Sequence, residues 1–161
     1  MTAHGKMEID LEIRAPADKF HNVFSCRPHH ISNMSTDKIQ GVDLHKGDWG
    51  KAGSVICWSY THDGETKVAK EVIEAIDDEK NSTTFRVIEG DLMKLYKNFV
   101  LVVQATPKEG GGSVVHWTLK YEKLSEEVTE PYSLLQFCVH VSKDIDLHHM
   151  EQAQAQAQAQ A

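Results

Sequence analysis

The side chains capable of chemistry are scattered along this 161-residue chain rather than gathered in a motif. Ten histidines raise the question of a metal. No pair has the H-x-x-x-H spacing that stacks two imidazoles on one helix face, and the adjacent pairs His29-His30 and His148-His149 diverge by about 100° around a helix, so no metal site is expected. His62 falls in a turn, His116 on the outward phase of a strand and His140 on the polar side of a helix, and each reads as a solvated histidine. Cys26, Cys57 and Cys138 are odd in number and lack C-x-x-C spacing. They read as reduced thiols that pack as small apolar groups in a reducing compartment. No Ser/His/Asp or Cys/His nucleophile constellation is visible. Lys70 is the more interesting cation, because it shares strand phase with Val68 and Val72. If that phase points inward, desolvation lowers the ammonium pKa toward acid/base work. The opposite phase, Lys67, Ala69, Glu71 and Ile73, fits the ambiguous alternation nearly as well.

The segment from Lys46 to Gly53 carries Gly47, Gly50 and Gly53, a density that permits positive φ and resembles in composition a phosphate-cradling loop. Its G-x-x-G-x-x-G spacing matches neither phosphate-binding fingerprint, and a strand rather than a helix N-terminus follows. A structural hairpin loop is the preferred reading.

The elements that must position these groups are mostly strands followed by one long helix. From Pro131 to Met150, Leu134, Cys138, Val141 and Ile145 recur at the 4-3-4 spacing of one helix face, with Leu135 and Phe137 widening the stripe. Proline at the first helical position marks the start. His140, Ser142, Lys143, Asp144 and Asp146 are expected on the opposite side. Upstream, Met7, Ile9, Leu11 and Ile13 alternate with charged residues as in a half-buried strand. Short helices are predicted around Phe20, Val23 and Phe24 and from Pro28 to about Met34. Further strands are predicted over 36–44, 54–60, 66–76, 83–89, 99–106 and around Val115 to Tyr121, with 54–60 and 66–76 joined by the D-G turn at Asp63-Gly64. One amphipathic helix after a run of strands implies an α+β protein whose antiparallel sheet packs around that helix.

Composition narrows the function. An apolar fraction of 40% and a charged fraction of 25% fit a globular domain, predicted over 1–151. A net charge of -7 argues against nucleic acid or an anionic membrane as the main partner. No apolar run reaches the ~20 residues of a membrane span, and the stretch Met1 to Lys6 lacks the core of a signal peptide, so a cytoplasmic protein without membrane insertion is expected. The Ala/Gln alternation over 152–161 reads as a low-complexity tail that extends the last helix or frays, with no function assigned. Trp58, Tyr60, Phe85, Phe99, Trp117 and Tyr121, with Phe20 and Phe24, are the large candidates for the interior. They either fill it, as native cores usually do, or leave a gap; the polar handles of Trp58, Tyr60 and Trp117 lean toward a gap where a ligand supplies hydrogen-bond partners.

The element order and four stretches together resemble the major latex protein branch of the birch-pollen-allergen family, related to class-10 pathogenesis-related proteins of plants. The stretches are Pro28-His29-His30-Ile31, Gly41 through Gly50, Arg86 through Lys94, and Leu135-Gln136-Phe137. The resemblance covers roughly Lys6 to Met150, and the Ala/Gln tail is outside the family pattern. It implies a helix-grip, START-like fold: a seven-stranded antiparallel sheet wraps the long C-terminal helix, with two short helices closing a hydrophobic cavity. It also implies a hydrophobic small-molecule ligand such as a sterol, flavonoid, hormone, terpenoid or alkaloid intermediate, a link to defence or specialised metabolism, no cofactor, and a monomer or weak dimer. Expected ligand contacts are Phe20, Phe24, Ile56, Trp58, Tyr60, Phe85, Val87, Phe99, Leu101, Trp117, Leu134, Cys138 and Val141, with Gly47, Gly50 and Gly53 in a loop at the cavity entrance. Some relatives cyclise or isomerise reactive terpenoid or alkaloid intermediates without a cofactor; for that alternative, His30 at the cavity rim and an inward Lys70 are the acid/base candidates.

Overall fold

The computed structural model describes residues 3–160; Met1, Thr2 and Ala161, the outer ends of the N-terminal stretch and the tail, lie outside the described residues. Seven strands, β1 (His4–Ile13), β2 (Ile39–Lys46), β3 (Val55–His62), β4 (Glu65–Asp77), β5 (Ser82–Gly90), β6 (Tyr96–Pro107) and β7 (Ser113–Lys123), make one antiparallel sheet. Their order, β1-β7-β6-β5-β4-β3-β2, is a meander of sequential hairpins with β1 added beside β7. Helix α1 (Ala17–Cys26) and a 3-10 turn, Pro28–Asn33, carry the chain from the β1 edge to the β2 edge. Helix α2 (Tyr132–Ala159) lies against β1 and β7.

Local chemistry accounts for most of these boundaries. Pro16 and Pro131 stand immediately before α1 and α2, where a missing N–H costs no helical bond. Asp63 and Gly64 have φ of 52° and 75°, the left-handed pair that a two-residue turn needs to match strand twist, and they join β3 to β4 as the sequence predicts. β2 starts three residues later than predicted because the Ser35 and Ile39 amides still donate to Ile31 and Ser35 carbonyls, prolonging the turn. A 3-10 turn over Asp91–Lys94 that sequence periodicity did not show separates β5 from β6. Gly90 precedes it with φ of 119°, and a Cβ there would collide with the Val68 carbonyl oxygen. The tail continues α2 to Ala159 with its side chains exposed, as the high helix propensity of alanine and glutamine allows.

The long helix differs from expectation on one side. Ser142 and Asp146, placed with the polar face by periodicity, are buried at 0% and 6% exposure. Asp146 accepts hydrogen bonds from the Ala15 amide at 2.9 Å and from the Arg14 amide and Nε at 3.2 Å. Ser142 accepts from Trp117 Nε1 and donates to the Cys138 carbonyl, both at 2.8 Å. A buried polar group persists where its partners are fixed, and here they tie α2 to the β1–α1 corner and to β7.

Candidate functional site

The inner face of the sheet and α2 do not close completely on one another. They leave a cavity of about 70 Å³. β3 supplies Trp58 and Tyr60, β4 supplies Ala69 and Glu71, and Phe85, Leu101 and Trp117 come from β5, β6 and β7. From above, α2 contributes Leu134, Phe137, Cys138 and Val141, while Phe24 of α1, Ile39 of β2 and Leu92 of the second 3-10 turn complete the wall. Alternation positions the strand residues, since every second side chain points inward. Edge-to-face ring contacts hold part of the wall rigid: Phe24 meets Trp117 at 5.4 Å and Phe85 at 6.3 Å, and Trp58 meets Phe85 at 6.2 Å.

Of the expected contacts, Phe24, Trp58, Tyr60, Phe85, Leu101, Trp117, Leu134, Cys138 and Val141 reach the cavity. Four do not. Phe20 packs on Phe24 at 5.5 Å, outside the wall, and Phe99 is fully buried between Tyr96 and Tyr121 in a separate aromatic cluster. Ile56 and Val87 sit opposite Glu71 on the two flanking strands, in solid core. Ile39, Ala69, Glu71, Leu92 and Phe137 were not anticipated as lining. Ala69 and Glu71 belong to the β4 phase that alternation left open against Lys70, and that is the phase realised.

The acid/base candidates are corrected accordingly. Ala69, Glu71 and Ile73 are buried, whereas Val68 is 53% exposed, so Lys70 emerges on the outer face. Its ammonium lies 3.2 Å from Glu89 and 3.5 Å from His45 Nε2. His30 stands beside Arg27, 3.5 Å from His30 Nδ1, and against the His29 ring at 4.4 Å, away from the cavity wall. The glycine loop is held by its own backbone: Gly47, Gly50 and Gly53 all have φ near 90°, and Ser54 Oγ both accepts from the Asp48 amide and donates to its carbonyl. None of the three glycines lines the cavity; the loop seats Trp49 on the His29 ring at 4.0 Å, and a Cβ at Gly50 would touch Cys26 of α1.

Glu71 is the polar centre of the wall. It is 7% exposed, and burial raises its carboxyl pKa to about 8, with the neighbouring Trp58 indole N–H acting weakly in the other direction. That N–H is buried without a well-formed hydrogen bond among the described residues. Burial, reinforced by Glu71, pushes the Tyr60 hydroxyl and the Cys138 thiol above their ordinary ranges. At neutral pH the wall is therefore largely uncharged and apolar over nearly all of its area, with Glu71, Trp58 and Tyr60 as its polar residues. His62 flanks this wall through Phe137, at 5.7 Å, and is bonded to Ser133 Oγ at 3.0 Å and Lys67 Nζ at 3.1 Å; desolvation lowers its pKa.

A sheet gripping a C-terminal helix around an apolar cavity defines the helix-grip fold. Known proteins of similar sequence and shape agree with that class. The family model described as "Pathogenesis-related protein Bet v 1 family" matches residues 2–152. MLP-like protein 31 of Arabidopsis thaliana is 59% identical over 149 residues, covering 92% of this chain and 87% of the relative. MLP-like protein 28 of the same plant is 62% identical over 151 residues, 93% of this chain, but the chain spans only 45% of that relative's length. The crystal structure of ginseng major latex-like protein 151 from Panax ginseng superposes with a TM-score of 0.88 at 44% identity, covering 91% of this chain and 98% of that one. The chain belongs to the Bet v 1 family, in its major latex protein branch. Norcoclaurine synthase from Thalictrum flavum shares the fold with a TM-score of 0.70, at 20% identity.

Proposed function

We propose that this protein binds a hydrophobic or amphipathic small metabolite in the cavity between sheet and α2, serving in the cytosol in plant defence or specialised metabolism. The observation that carries this reading is the unfilled space itself, walled by apolar side chains yet bordered by a buried carboxyl, Glu71, beside the Trp58 indole N–H. Ligand sites combine those two features. Pockets for drug-sized ligands run to roughly 300–1,000 Å³, so a cavity of about 70 Å³ takes either a small ring system or a larger ligand that displaces side chains such as Phe137 and Leu92. Trp58 and Trp117 line the wall while Trp49 does not, which makes intrinsic fluorescence a direct readout. Titration with sterols, flavonoids, terpenoids and alkaloid intermediates is expected to quench or shift it for at least one class; a flat response to all of them overturns the reading.

A second reading, a cofactor-free cyclase or isomerase, is favoured by Glu71 rather than by His30 or Lys70. A buried carboxyl with a pKa near neutrality is suited to general acid/base work on a bound intermediate. Product stereochemistry that changes on adding protein, and reverts with Glu71→Gln, supports it; an unchanged product distribution removes it.

A further inference from the structure

Three polar groups on the cavity wall define what the polar end of a ligand must be. Glu71 and Trp58 are 7% and 8% exposed, Tyr60 is 5% exposed, and all three line the same space. Trp58 Nε1 can only donate; it is directed at the Glu71 carboxyl, where it falls short of a well-formed hydrogen bond, so a better acceptor on a ligand can take it over. The surroundings of Glu71 supply no charge to hold it ionised. β3 presents Trp58 and Tyr60, α2 presents Cys138, β5 presents Phe85 and α1 presents Phe24; among the described residues, neither lysine, arginine nor histidine lines the cavity. Burying an unpaired carboxylate in such a place is costly, so the proton stays on. A carboxylic acid kept neutral in an apolar site is a hydrogen-bond donor.

We infer that Glu71 and Trp58 form a paired donor site that recognises a neutral oxygen acceptor, a ketone or related carbonyl, on an otherwise apolar ligand, with the Tyr60 hydroxyl available as a third contact. This rests on the cavity being a ligand site and specifies its substrate class. An anionic ligand end would meet a carboxyl and no cation. An ammonium end would demand an ionised Glu71, and its binding would expel a proton and strengthen as pH rises. A carbonyl accepts from the acid and the indole together, and its binding is level through neutral pH and weakens once Glu71 ionises.

Equilibrium dialysis of the purified protein with four probes of matched size tests this: 2-acetylnaphthalene, 2-ethylnaphthalene, 1-(2-naphthyl)ethylamine and 2-naphthylacetate. At pH 6.5 the ketone is expected to bind about tenfold more tightly than the hydrocarbon, the yield of one or two hydrogen bonds in a dry site. Glu71→Leu should cut the ratio of ketone to hydrocarbon affinity to the smaller share that the Trp58 N–H alone supplies, and Glu71→Gln, whose amide still donates, should keep most of it. An infrared carbonyl band of a protonated carboxylic acid, present at pH 6.5 and lost in Glu71→Gln, checks the protonation state without any ligand. Equal binding of ketone and hydrocarbon overturns the donor site but leaves the cavity reading standing. Preference for the amine, growing from pH 6 to 8, replaces the donor site with a carboxylate one. Failure of all four probes to bind overturns both.

Discussion

Replacing Glu71 by glutamine should make stability diverge from that of the parent as pH rises, by an amount that follows from burial. In the unfolded chain the carboxyl ionises near its ordinary value of 4.5, and in the folded protein burial holds that pKa up to about 8. Folding therefore retains a proton that the unfolded chain releases. The folded state suffers no penalty from this group below pH 4.5, loses stability progressively between 4.5 and 8, and above 8 carries the whole cost. Each tenfold change in proton affinity is worth about 1.4 kcal/mol. At pH 7, about two and a half pH units above the unfolded pKa, the cost is therefore about 3 kcal/mol. Glutamine occupies nearly the same volume and stays neutral throughout. Urea unfolding of both proteins at pH 5, 6, 7 and 8 should give free energies that lie closest at pH 5, where linkage contributes a little under about 1 kcal/mol, and separate further in favour of Glu71→Gln by about 1 kcal/mol per pH unit or slightly more. Titrating histidines are common to both proteins and cancel in the difference. Parallel curves would refute the reasoning, because they would mean that Glu71 is ionised and solvated in the folded state.

Asp146→Ala should cost about 3 kcal/mol in the same urea assay, since it orphans the buried Ala15 amide and the Arg14 donors that anchor α2; a loss under about 1 kcal/mol would show that water replaces the carboxylate. Gly90→Ala should lower stability by about 2 kcal/mol or more, read as a drop in Tm, because the residue would have both an unfavourable φ of 119° and a Cβ against the Val68 carbonyl. Ending the chain after Glu151 should change stability by less than about 0.5 kcal/mol and remove about two turns of helical circular dichroism, as the tail is helical but makes an exposed extension. Cys138 should react with a thiol reagent far more slowly than Cys26 or Cys57, for it is buried with a raised pKa while they are half-buried.

Much of the architecture could be read directly from periodicity. The strict alternation around Met7 to Ile13, the D-G pair at Asp63-Gly64 and the 4-3-4 stripe of α2 each depend on neighbours a few residues away, and local geometry is what those patterns encode. The resemblance carried by four short stretches then supplied the topology, which no single element specifies. Nine of the thirteen expected wall residues reach the cavity because inward phase was correct for α1, β3, β5, β6, β7 and α2. Where alternation was ambiguous, as along β4, the apolar count could not choose between Lys70 and Glu71.

By itself, then, the order of residues determined seven strands, two short helical segments and one long helix, the acidic surface, and the identity of most side chains that turn inward, since these follow from spacing and from the cost of leaving apolar faces wet. Only the tertiary structure decided which inward residues border empty space and which border one another: Phe99 and Phe85 are identical in type and both on an inward phase, but one is stacked among tyrosines and the other faces the cavity. It also decided that Ser142 and Asp146 are buried with fixed partners and that, of the two candidates on β4, Glu71 rather than Lys70 turns inside. Burial and hydrogen-bond pairing are properties of contacts between distant segments, and a carboxyl takes its proton affinity from those contacts rather than from its neighbours along the chain.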